Sequence, residues 1–407
     1  MTVSTAGERA GTSVSRLVTV VLLTTAVQTV GSWAVLAFPA LATEIAADLA
    51  LRPLLIGWLV SLVYGVAMLL SLVSGQTLRR FGACRQGQAA LLAFALACGV
   101  AASGTAVGIA LAGVLLGLGY GLINPATSHL LARVAPPARR NIVFSLKQTG
   151  VPAGGVLAGL ATPALAVAFG WQAAIGGIAL VSLLFLLALA PLRSALDDDR
   201  DLAAPVFGRP LAGLSLVLRV APLRWLSVAV FFLSAVQLCL SAYLVIFLVK
   251  EIGLDLVTAG ALLAATQAAG FAGRLLWGWL ADRLGDGNGV MLAIAAIMLL
   301  ASLATAAVTA AWPLAAVCAL FLVFGATAIG WNGVFMAEIA RLAPEGEVGN
   351  ATAGALVPTF GGVLFGPSLF ALAYGALGSY ALTFGGLALA ALAACLSMIA
   401  GRRSSSR

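Results

Sequence analysis

Charged residues are scarce in this chain, which limits at once what kind of protein it is. Only 9% of its 407 residues are Asp, Glu, Lys or Arg, whereas 62% are hydrophobic. Soluble domains carry about 25% charged residues, so this composition excludes an ordinary soluble protein. Many apolar runs reach about 20 residues, the length at which an α-helix crosses the hydrocarbon core of a bilayer. The sequence therefore predicts an all-α membrane protein with multiple spans.

Groups for catalysis or metal binding are also few. The chain has one histidine and five cysteines, and the cysteines are scattered, mostly within apolar runs. This distribution indicates neither a metal site nor a disulfide framework. No P-loop sequence for ATP is present, and no nucleophile, base and metal ligands converge as an enzyme requires. We therefore expect a protein that is not an enzyme and that binds no cofactor or metal.

Twelve apolar runs are long enough to be transmembrane helices, and they form two sets of six. The first set is Arg16–Leu41, Leu54–Gly75, Gln88–Ser103, Val107–Leu131, Val143–Ala166 and Trp171–Ala190. The second set is Trp225–Val249, Val257–Ala281, Val290–Thr309, Leu314–Ala337, Ala351–Ala373 and Tyr380–Ala400. The third and fourth runs almost touch, so a count as low as ten is also compatible. The predicted organisation is a tail, a six-helix bundle, a solvated linker, a second six-helix bundle and a second tail, at residues 1–15, 16–190, 191–223, 224–400 and 401–407.

The positive charges predict the orientation of these spans. With the N-terminus in the cytoplasm, the loops on the cytoplasmic side hold nearly all of the arginines, and the opposite loops hold only Arg52 and Lys250. Loops rich in Arg and Lys stay in the cytoplasm. We therefore expect a multi-pass protein of the inner (cytoplasmic) membrane with both termini in the cytoplasm. The net charge of +8 follows from this bias and from the attraction of basic loops to anionic lipids, and it requires no nucleic-acid partner.

The two halves of the chain resemble each other weakly. The loop Gly75–Gly82 after the second span is similar to the loop Gly278–Gly285 after the eighth. The fourth and tenth spans share residues at a nearly constant offset, namely Gly117/Gly325, Asn124/Asn332, Ala132/Ala340, Arg133/Arg341, Ala135/Ala343 and Pro136/Pro344. An internal repeat of this kind is typical of transporters built from two related bundles.

With these two loops the chain resembles the major facilitator superfamily over essentially its whole length. The family's loop signature, Gly-x-x-x-Asp-Arg-x-Gly, is complete in the second half, but Arg79 replaces the Asp in the first half. The resemblance implies two pseudo-symmetric six-helix bundles, a substrate site at the midplane and alternating access. The first, fourth, seventh and tenth helices would line the cavity, and the second, fifth, eighth and eleventh would join the halves. It also implies a cytoplasmic conformational latch, with Gly278, Asp282, Arg283, Gly285, Gly75, Arg80, Glu338 and Arg341 as candidates.

Two basic residues stand inside predicted spans, Lys147 in the fifth and Arg274 in the eighth, and no acidic residue stands at membrane depth beside them. Since the fifth and eighth helices meet in the family fold, we predict that both cations face one cavity and bind an anion. A guanidinium binds a carboxylate through two parallel hydrogen bonds, and an ammonium adds a point charge. The alternatives are that Arg274 pairs with Glu338, or that both side chains extend to lipid headgroups.

The segment Gly273–Asp282 also resembles the eighth helix of oxalate/formate antiporters and monocarboxylate carriers, in which an Arg binds the substrate carboxylate. Uncharged polar residues of the inner helices are further candidates for substrate binding. A buried amide without a partner costs free energy, so these residues either face a wet cavity or form hydrogen bonds between the helices of one bundle. They are Gln28, Gln237, Asn124, Asn332, Tyr64, Gln267 and Gln148.

Histidine and glycine positions supply the remaining expectations. His129, near the cytoplasmic end of the fourth span, is a candidate for proton coupling because imidazole titrates near neutrality; an interfacial polar residue is the alternative. Glycines at small-xxx-small spacing allow helices to approach closely. They are Gly113, Gly117 and Gly121 in the fourth span and Gly150, Gly154 and Gly155 in the fifth.

The sequence therefore predicts a secondary active transporter for a small organic anion, a mono- or dicarboxylate, which acts as a monomer in the lipid bilayer. The alternative is an efflux transporter of the same fold for neutral or cationic drugs or metabolites. The glycine-rich segment Gly150–Gly155 loosely resembles an antiporter motif and favours that alternative. The lack of an acidic residue at membrane depth disfavours a cationic substrate.

Overall fold

Twelve long helices organise the computed structural model, which describes residues 4–134, 143, 146–203, 212–344 and 348–405. The first six are α1 Ser4–Ala40, α2 Ile56–Phe81, α3 Ala83–Ala101, α4 Ala106–Val134, α5 Gly150–Phe169 and α6 Trp171–Leu189. The second six are α7 Ala221–Phe247, α8 Leu256–Leu284, α9 Gly287–Thr305, the two-part α10a Leu314–Ala328 and α10b Asn332–Leu342, α11 Val348–Leu377 and α12 Tyr380–Ser405. Shorter helical segments are Ala42–Asp48, Pro53–Leu55, Ala190–Leu192, Arg193–Leu196, Ala212–Arg219 and Leu248–Ile252.

The helices have the length and apolarity of membrane spans. Eleven described stretches can each cross a bilayer, and Ile56–Leu70 of α2 is a shorter apolar helix. Within the described ranges the secondary structure contains no strand. The predicted all-α, multi-pass architecture is therefore confirmed. The third and fourth spans are separate helices, because α3 ends at Ala101 and α4 begins at Ala106.

The ends of several helices differ from the boundaries predicted by apolarity. Helix α1 begins at Ser4 and α12 continues to Ser405, so parts of both predicted tails are helical. Helix α3 begins at Ala83 rather than Gln88, directly after Gly82, which ends α2 with φ +97°. Polar residues at a helix end lower the average apolarity of that stretch of sequence without breaking the backbone hydrogen bonds. Boundaries predicted from apolarity alone therefore stop short of the helix ends.

Successive spans alternate in direction, so the start of α1 and the end of α12 lie on one side of the molecule, which we call the terminal face; the opposite side is the far face. Small residues bring the helices of each bundle together. A Cβ atom on Gly117 of α4 would lie 2.5 Å from the Val63 oxygen of α2. A Cβ atom on Gly154 of α5 would lie 2.5 Å from the Thr29 oxygen of α1. The close helix contacts predicted from the glycine spacing are therefore confirmed.

In the half of the molecule nearer the far face, the two bundles touch through α2 and α11 and through α5 and α8. Ser61 Oγ of α2 donates a hydrogen bond to the Leu364 oxygen of α11 at 2.5 Å, and Ser368 Oγ lies 2.7 Å from Ser61 Oγ. Gly159 of α5 and Gly260 of α8 meet backbone to backbone, since a Cβ atom on Gly159 would lie 2.5 Å from the Gly260 oxygen. These contacts join the bundles through the helices that the family resemblance assigns to this role.

Asp197, in the acidic run after α6, packs onto the first bundle, whereas residues 198–203 are exposed. The solvated linker at residues 191–223 stays a prediction. Asp197 is only 6% exposed, and its carboxylate accepts hydrogen bonds from the backbone N–H groups of Cys84 at 2.6 Å and Arg85 at 3.0 Å. These N–H groups belong to the first turn of α3 and have no partner within the helix. Asp197 therefore caps α3 and ties the end of α6 to its start.

Candidate substrate site between the bundles

Arg274 of α8 reaches from the second bundle to the first. Its Nε donates a hydrogen bond to the Ile329 oxygen at 3.1 Å, and its Nη1 donates to the Gln148 oxygen, just before α5, at 2.8 Å. The side chain is half-buried, and among the described residues it contacts no carboxylate. The alternative pairing with Glu338 is not seen, since Glu338, 4% exposed, pairs with Arg341 at 2.6 Å. The guanidinium is therefore held by neutral carbonyl groups and keeps its full charge.

A break in the tenth span supplies one of these carbonyl groups, whereas apolarity predicted a continuous helix. Helix α10a ends at Ala328 and α10b begins at Asn332. The turn requires a small residue, because a Cβ atom on Gly330 would lie 2.1 Å from the Ala326 oxygen. Broken backbone at membrane depth occurs where it is buried in protein or lines a cavity. Here the freed Ile329 oxygen accepts from Arg274.

Lys147 lies beside this contact but points into the first bundle. Its side chain is 1% exposed. Nζ donates hydrogen bonds to Asn124 Oδ1 at 2.8 Å and to Ser128 Oγ at 3.4 Å, both on α4. The structure thus places Lys147 and Arg274 on two sides of Gln148, with the amino group directed to α4 and the guanidinium to the carbonyl groups. That both cations face one cavity stays a prediction.

Several polar atoms of α1 and its neighbour α5 have no partner within the described part of the chain. Gln28 is fully buried, and neither its Nε2 nor its Oε1 forms a hydrogen bond. The same lack of a hydrogen-bond partner is found for the buried atoms Thr25 Oγ1, Ser32 Oγ and Gln148 Oε1. Unpaired buried polar groups are costly and are rare unless water or a ligand satisfies them. This group of atoms is therefore a place where water or a ligand would be favourable.

The corresponding residues of the second bundle are paired. Asn332 Nδ2 donates to Gln237 Oε1 at 3.4 Å, and Gln267 Nε2 donates to Ser241 Oγ at 3.1 Å. Gln267 also packs against the first bundle, since a Cβ atom on Gly155 would lie 2.6 Å from its Cδ. The two halves thus have the same residue types at the repeat-related positions Gln28/Gln237 and Asn124/Asn332, but these side chains form different hydrogen bonds.

Two residues that sequence analysis did not select take part in this region. The ring of Tyr120 on α4 packs edge-on against Tyr64 of α2, with centroids 5.2 Å apart. Ser128 binds Lys147. Both stand four residues from Asn124, and residues four apart share one helix face. That spacing was the signal that could have found them.

His129 and Arg133 lie at the terminal end of α4, away from the interior residues. His129 Nε2 lies 2.7 Å from Asp199 Oδ2, and Arg133 Nη1 lies 2.9 Å from Asp199 Oδ1. Arg133 also pairs with Asp198, and its guanidinium holds the pKa of that carboxyl below the usual range. The structure therefore uses His129 and Arg133 to attach the acidic run after α6 to α4. Proton coupling through His129 stays a prediction.

The residues of the predicted latch are present but do not all interact. Asp282 is exposed and forms no hydrogen bond or ion pair with another described residue. Arg283 lies over the Trp279 ring at 5.2 Å from its centroid. Arg80 is half-buried, and Gly75 lies in α2. In this conformation the signature loop of the second half thus makes no described bond to the first bundle.

The first bundle also contains an apolar cavity. This small space lies near the terminal face of the first bundle, between α1, α3 and α4, and is lined by residues such as Val20, Leu130 and Leu196. It contains no charged side chain, so it is unsuited to an ion. Within the described ranges, no three His, Cys, Asp or Glu residues group as metal ligands would.

Comparisons with known proteins give the family. Residues 21–357 match the sequence profile of the Major Facilitator Superfamily. Among characterised sequences, the chain is similar to proteins described as "Probable nitrate/nitrite transporter NarK2" from Mycobacterium tuberculosis strains CDC 1551 / Oshkosh and ATCC 25618 / H37Rv. Each is 29% identical over 345 residues, which is 81% of this chain and 82% of the relative.

Solved structures show the same fold. A bacterial homologue of the human lysosomal transporter Spinster, inward-facing and unoccupied, matches with a TM-score of 0.77 at 15% identity and covers 96% of this chain and 98% of its own. A peptide transporter POT in complex with sulfate matches with a TM-score of 0.74 at 14% identity, over 95% and 94% of the two chains. Since the family profile spans most of the sequence and the helices adopt the matching fold, this protein belongs to the Major Facilitator Superfamily and is a transporter rather than an enzyme.

Proposed function

We propose that the protein is a secondary active transporter for a small anion and that Arg274 binds the anion. The observation that carries the proposal is the position of Arg274 between the two bundles, bonded to the Gln148 and Ile329 oxygens and to no described carboxylate. A guanidinium has five N–H donors, and the two hydrogen bonds leave its Nη2 side for a ligand. Alternating access requires the substrate site to lie between the two bundles, and Arg274 has this position.

The distribution of acidic residues supports an anion over a cation. The described Asp and Glu side chains lie at helix ends, and the buried Glu338 is neutralised by Arg341. An interior with uncompensated positive charge and no free carboxylate attracts anions and repels cations, and low dielectric strengthens both effects. The efflux of cationic compounds, which the sequence left open, therefore has little support in this arrangement.

The geometry of the guanidinium favours small planar anions. Carboxylates and nitrate or nitrite each present two oxygen atoms in one plane, which fits the fork of N–H donors. The sequence pointed to mono- or dicarboxylates through the resemblance of Gly273–Asp282 to oxalate/formate antiporters. The relatives described as nitrate/nitrite transporters point to an inorganic member of the same chemical class. We propose this class as the substrate, moved across the inner membrane by a protein with both termini in the cytoplasm.

The test is ligand binding by the purified protein in detergent. Matched sets of anions (nitrate, nitrite, formate, oxalate), amines and neutral analogues are screened by thermal shift, since a ligand that binds only the folded state raises its stability. The variants are Arg274→Ala and Arg274→Lys, and Arg283→Ala, an exposed arginine of the same helix, is the matched control. A hydrogen bond to a charged group contributes about 1.5–3 kcal/mol, so we expect the Arg274→Ala variant to bind the anion about 10- to 150-fold more weakly.

The outcome separates the two functions. Stabilisation by anions that is lost in the Arg274→Ala variant and kept in the Arg283→Ala variant supports an anion transporter and names its substrate. Stabilisation by amines or neutral hydrophobic compounds, unchanged in the Arg274→Ala variant, contradicts the proposal and favours the efflux function.

A further inference from the structure

Resting on the anion transport proposed above, we propose that Lys147 is the proton carrier that couples anion movement to a proton gradient. Its amino group is neutral in the empty transporter and takes up one proton when the anion binds. The transporter would then move the anion and a proton together, which makes it a proton-coupled anion symporter.

The hydrogen bonds of Lys147 fit a neutral amine. Nζ donates to two oxygen atoms, Asn124 Oδ1 at 2.8 Å and Ser128 Oγ at 3.4 Å. A neutral amine has two N–H donors, whereas an ammonium has three. With 1% of the side chain exposed, the third donor of an ammonium would have no described partner. An arriving anion would supply the missing acceptor.

The surroundings of Lys147 contain no described counter-ion. From α4 it faces the neutral Asn124 and Ser128, and the next titratable groups of that helix, His129 and Arg133, are bound to Asp199 and Asp198. From α1 the neutral Thr25 and Gln28 pack against Gly150, three residues after Lys147. From α8 the nearby charge is the cation Arg274. An isolated buried ammonium is costly, and only an anion offsets it here.

Unpaired polar atoms mark a route for the proton. Thr25 Oγ1, both amide atoms of Gln28, Ser32 Oγ and Gln148 Oε1 are buried and lack hydrogen-bond partners. They follow α1 and the start of α5, from the level of Lys147 toward the middle of the span. Groups of this kind hold water molecules, each with about three hydrogen bonds, and a row of waters conducts protons. His129 has no comparable surroundings, since it lies at the terminal end with Asp199.

Lys147 and Arg274 are linked through the chain. The carbonyl of Gln148, the residue after Lys147, accepts the hydrogen bond from Arg274 Nη1 at 2.8 Å. An anion that binds Arg274 would therefore change the electrostatic potential at the residue before Gln148, which is Lys147. In the proposed step, Nζ forms one N–H bond with a proton from water on the side of uptake, and the charge of the anion offsets the new positive charge. After the bundles rock, the anion leaves and Nζ releases the proton to water on the other side.

Proton uptake on binding is the direct test. The purified wild-type protein in weakly buffered detergent near pH 7.5 is titrated with nitrate or formate, whichever binds in the screen above, and protons are followed with a pH dye. We expect the wild-type protein to take up about one proton per anion bound. The Lys147→Arg variant should take up none, because its guanidinium stays charged. The Lys250→Gln variant should take up as many protons as the wild-type protein. Lys250 is exposed and is the other lysine of the chain, which makes it the matched control.

Transport in proteoliposomes gives a second readout that does not depend on one variant. Under a pH gradient, we expect the Lys147→Gln and Lys147→Arg variants to accumulate at least about tenfold less anion than the wild-type protein. Both variants should still exchange labelled for unlabelled anion. Anion binding without proton uptake by the wild-type protein would overturn the coupling and leave the proposed function intact. Gradient-driven accumulation that persists in both variants would do the same. If no anion binds to the wild-type protein, the proposed function itself fails and the coupling with it.

Discussion

The contact between Gly159 and Gly260 offers a way to shift the conformational equilibrium without touching the substrate site. Gly159 belongs to α5 of the first bundle and Gly260 to α8 of the second. A Cβ atom on Gly159 would lie 2.5 Å from the Gly260 oxygen and 2.7 Å from the Ala264 nitrogen. We expect the Gly159→Ala variant to weaken this contact, which exists only while the two bundles are closed at the far face. Each bundle keeps its own packing in the alternative conformation.

The size of the effect follows from packing energetics. Inserting a methyl group into a well-packed contact costs about 1–3 kcal/mol. Because that cost falls only on the conformation that is closed at the far face, the equilibrium moves toward the open one by about 5- to 150-fold, at 1.4 kcal/mol for each factor of ten.

The labelling rate of a thiol behind this contact reports the open fraction. Ser368 of α11 is 9% exposed and bonds to Ser61 of α2, so a Ser368→Cys substitution reacts with a membrane-impermeant maleimide only when the far face opens. Cys318, the cysteine that is partly exposed, is replaced by Ala in all variants. We expect the Gly159→Ala variant to raise the labelling rate at least about fivefold. The control is Gly176→Ala, since a Cβ atom on Gly176 would meet nothing within 4 Å.

The reasoning is refuted if the Gly159→Ala and Gly260→Ala variants both label within about twofold of the parent, below the smallest shift that the packing cost allows. An equal rise in the Gly176→Ala control would also refute it, because that result would indicate a general loosening of the protein.

Three further expectations concern groups outside the candidate site. Asp197→Ala removes the cap of α3 and should lower the free energy of unfolding by about 1 kcal/mol, as measured by thermal denaturation in detergent. Asp201 is an exposed residue of the same acidic run, so Asp201→Ala should change this free energy little. Equal effects of the two substitutions would contradict the capping role. The backbone N–H of Gly289 at the start of α9 holds the pKa of Asp286 below its usual range. Stabilisation by this carboxylate is therefore present at neutral pH and lost as pH falls through the lowered pKa. Asp286→Ala should reduce the melting temperature at pH 7, and the reduction should shrink as the pH falls through that pKa. A pH-independent reduction would argue against it. Arg341→Ala leaves the buried Glu338 without its partner and should destabilise the second bundle by about 1–3 kcal/mol. The Glu338→Gln/Arg341→Ala double variant should recover part of this lost stability. If the double variant recovers none of it, the pairing is contradicted.

Parts of the candidate site could be read from the sequence because they depend on depth in the membrane alone. Arg274 and Lys147 stood out as cations within apolar runs, and the structure buries one fully and the other partly. Helical spacing around Asn124 could also have pointed to Tyr120 and Ser128, which sequence analysis did not select. The partners could not be read in this way. Apolarity does not indicate that Arg274 binds the carbonyl of Gln148, that Lys147 turns to α4, or that α10 breaks before Asn332.

The sequence by itself determined that this is a membrane protein with two related halves. A bilayer demands about 20 apolar residues for each span whatever the neighbouring helices are, so the spans are local properties of the chain. The tertiary structure decided which polar groups meet. Arg274 and Gln148 are 126 residues apart, and Asp197 and Cys84 are 113 apart. Their hydrogen bonds depend on distances of about 3 Å between helices. Only the packing of small residues such as Gly154 and Gly159 sets such distances, and local sequence patterns do not encode them.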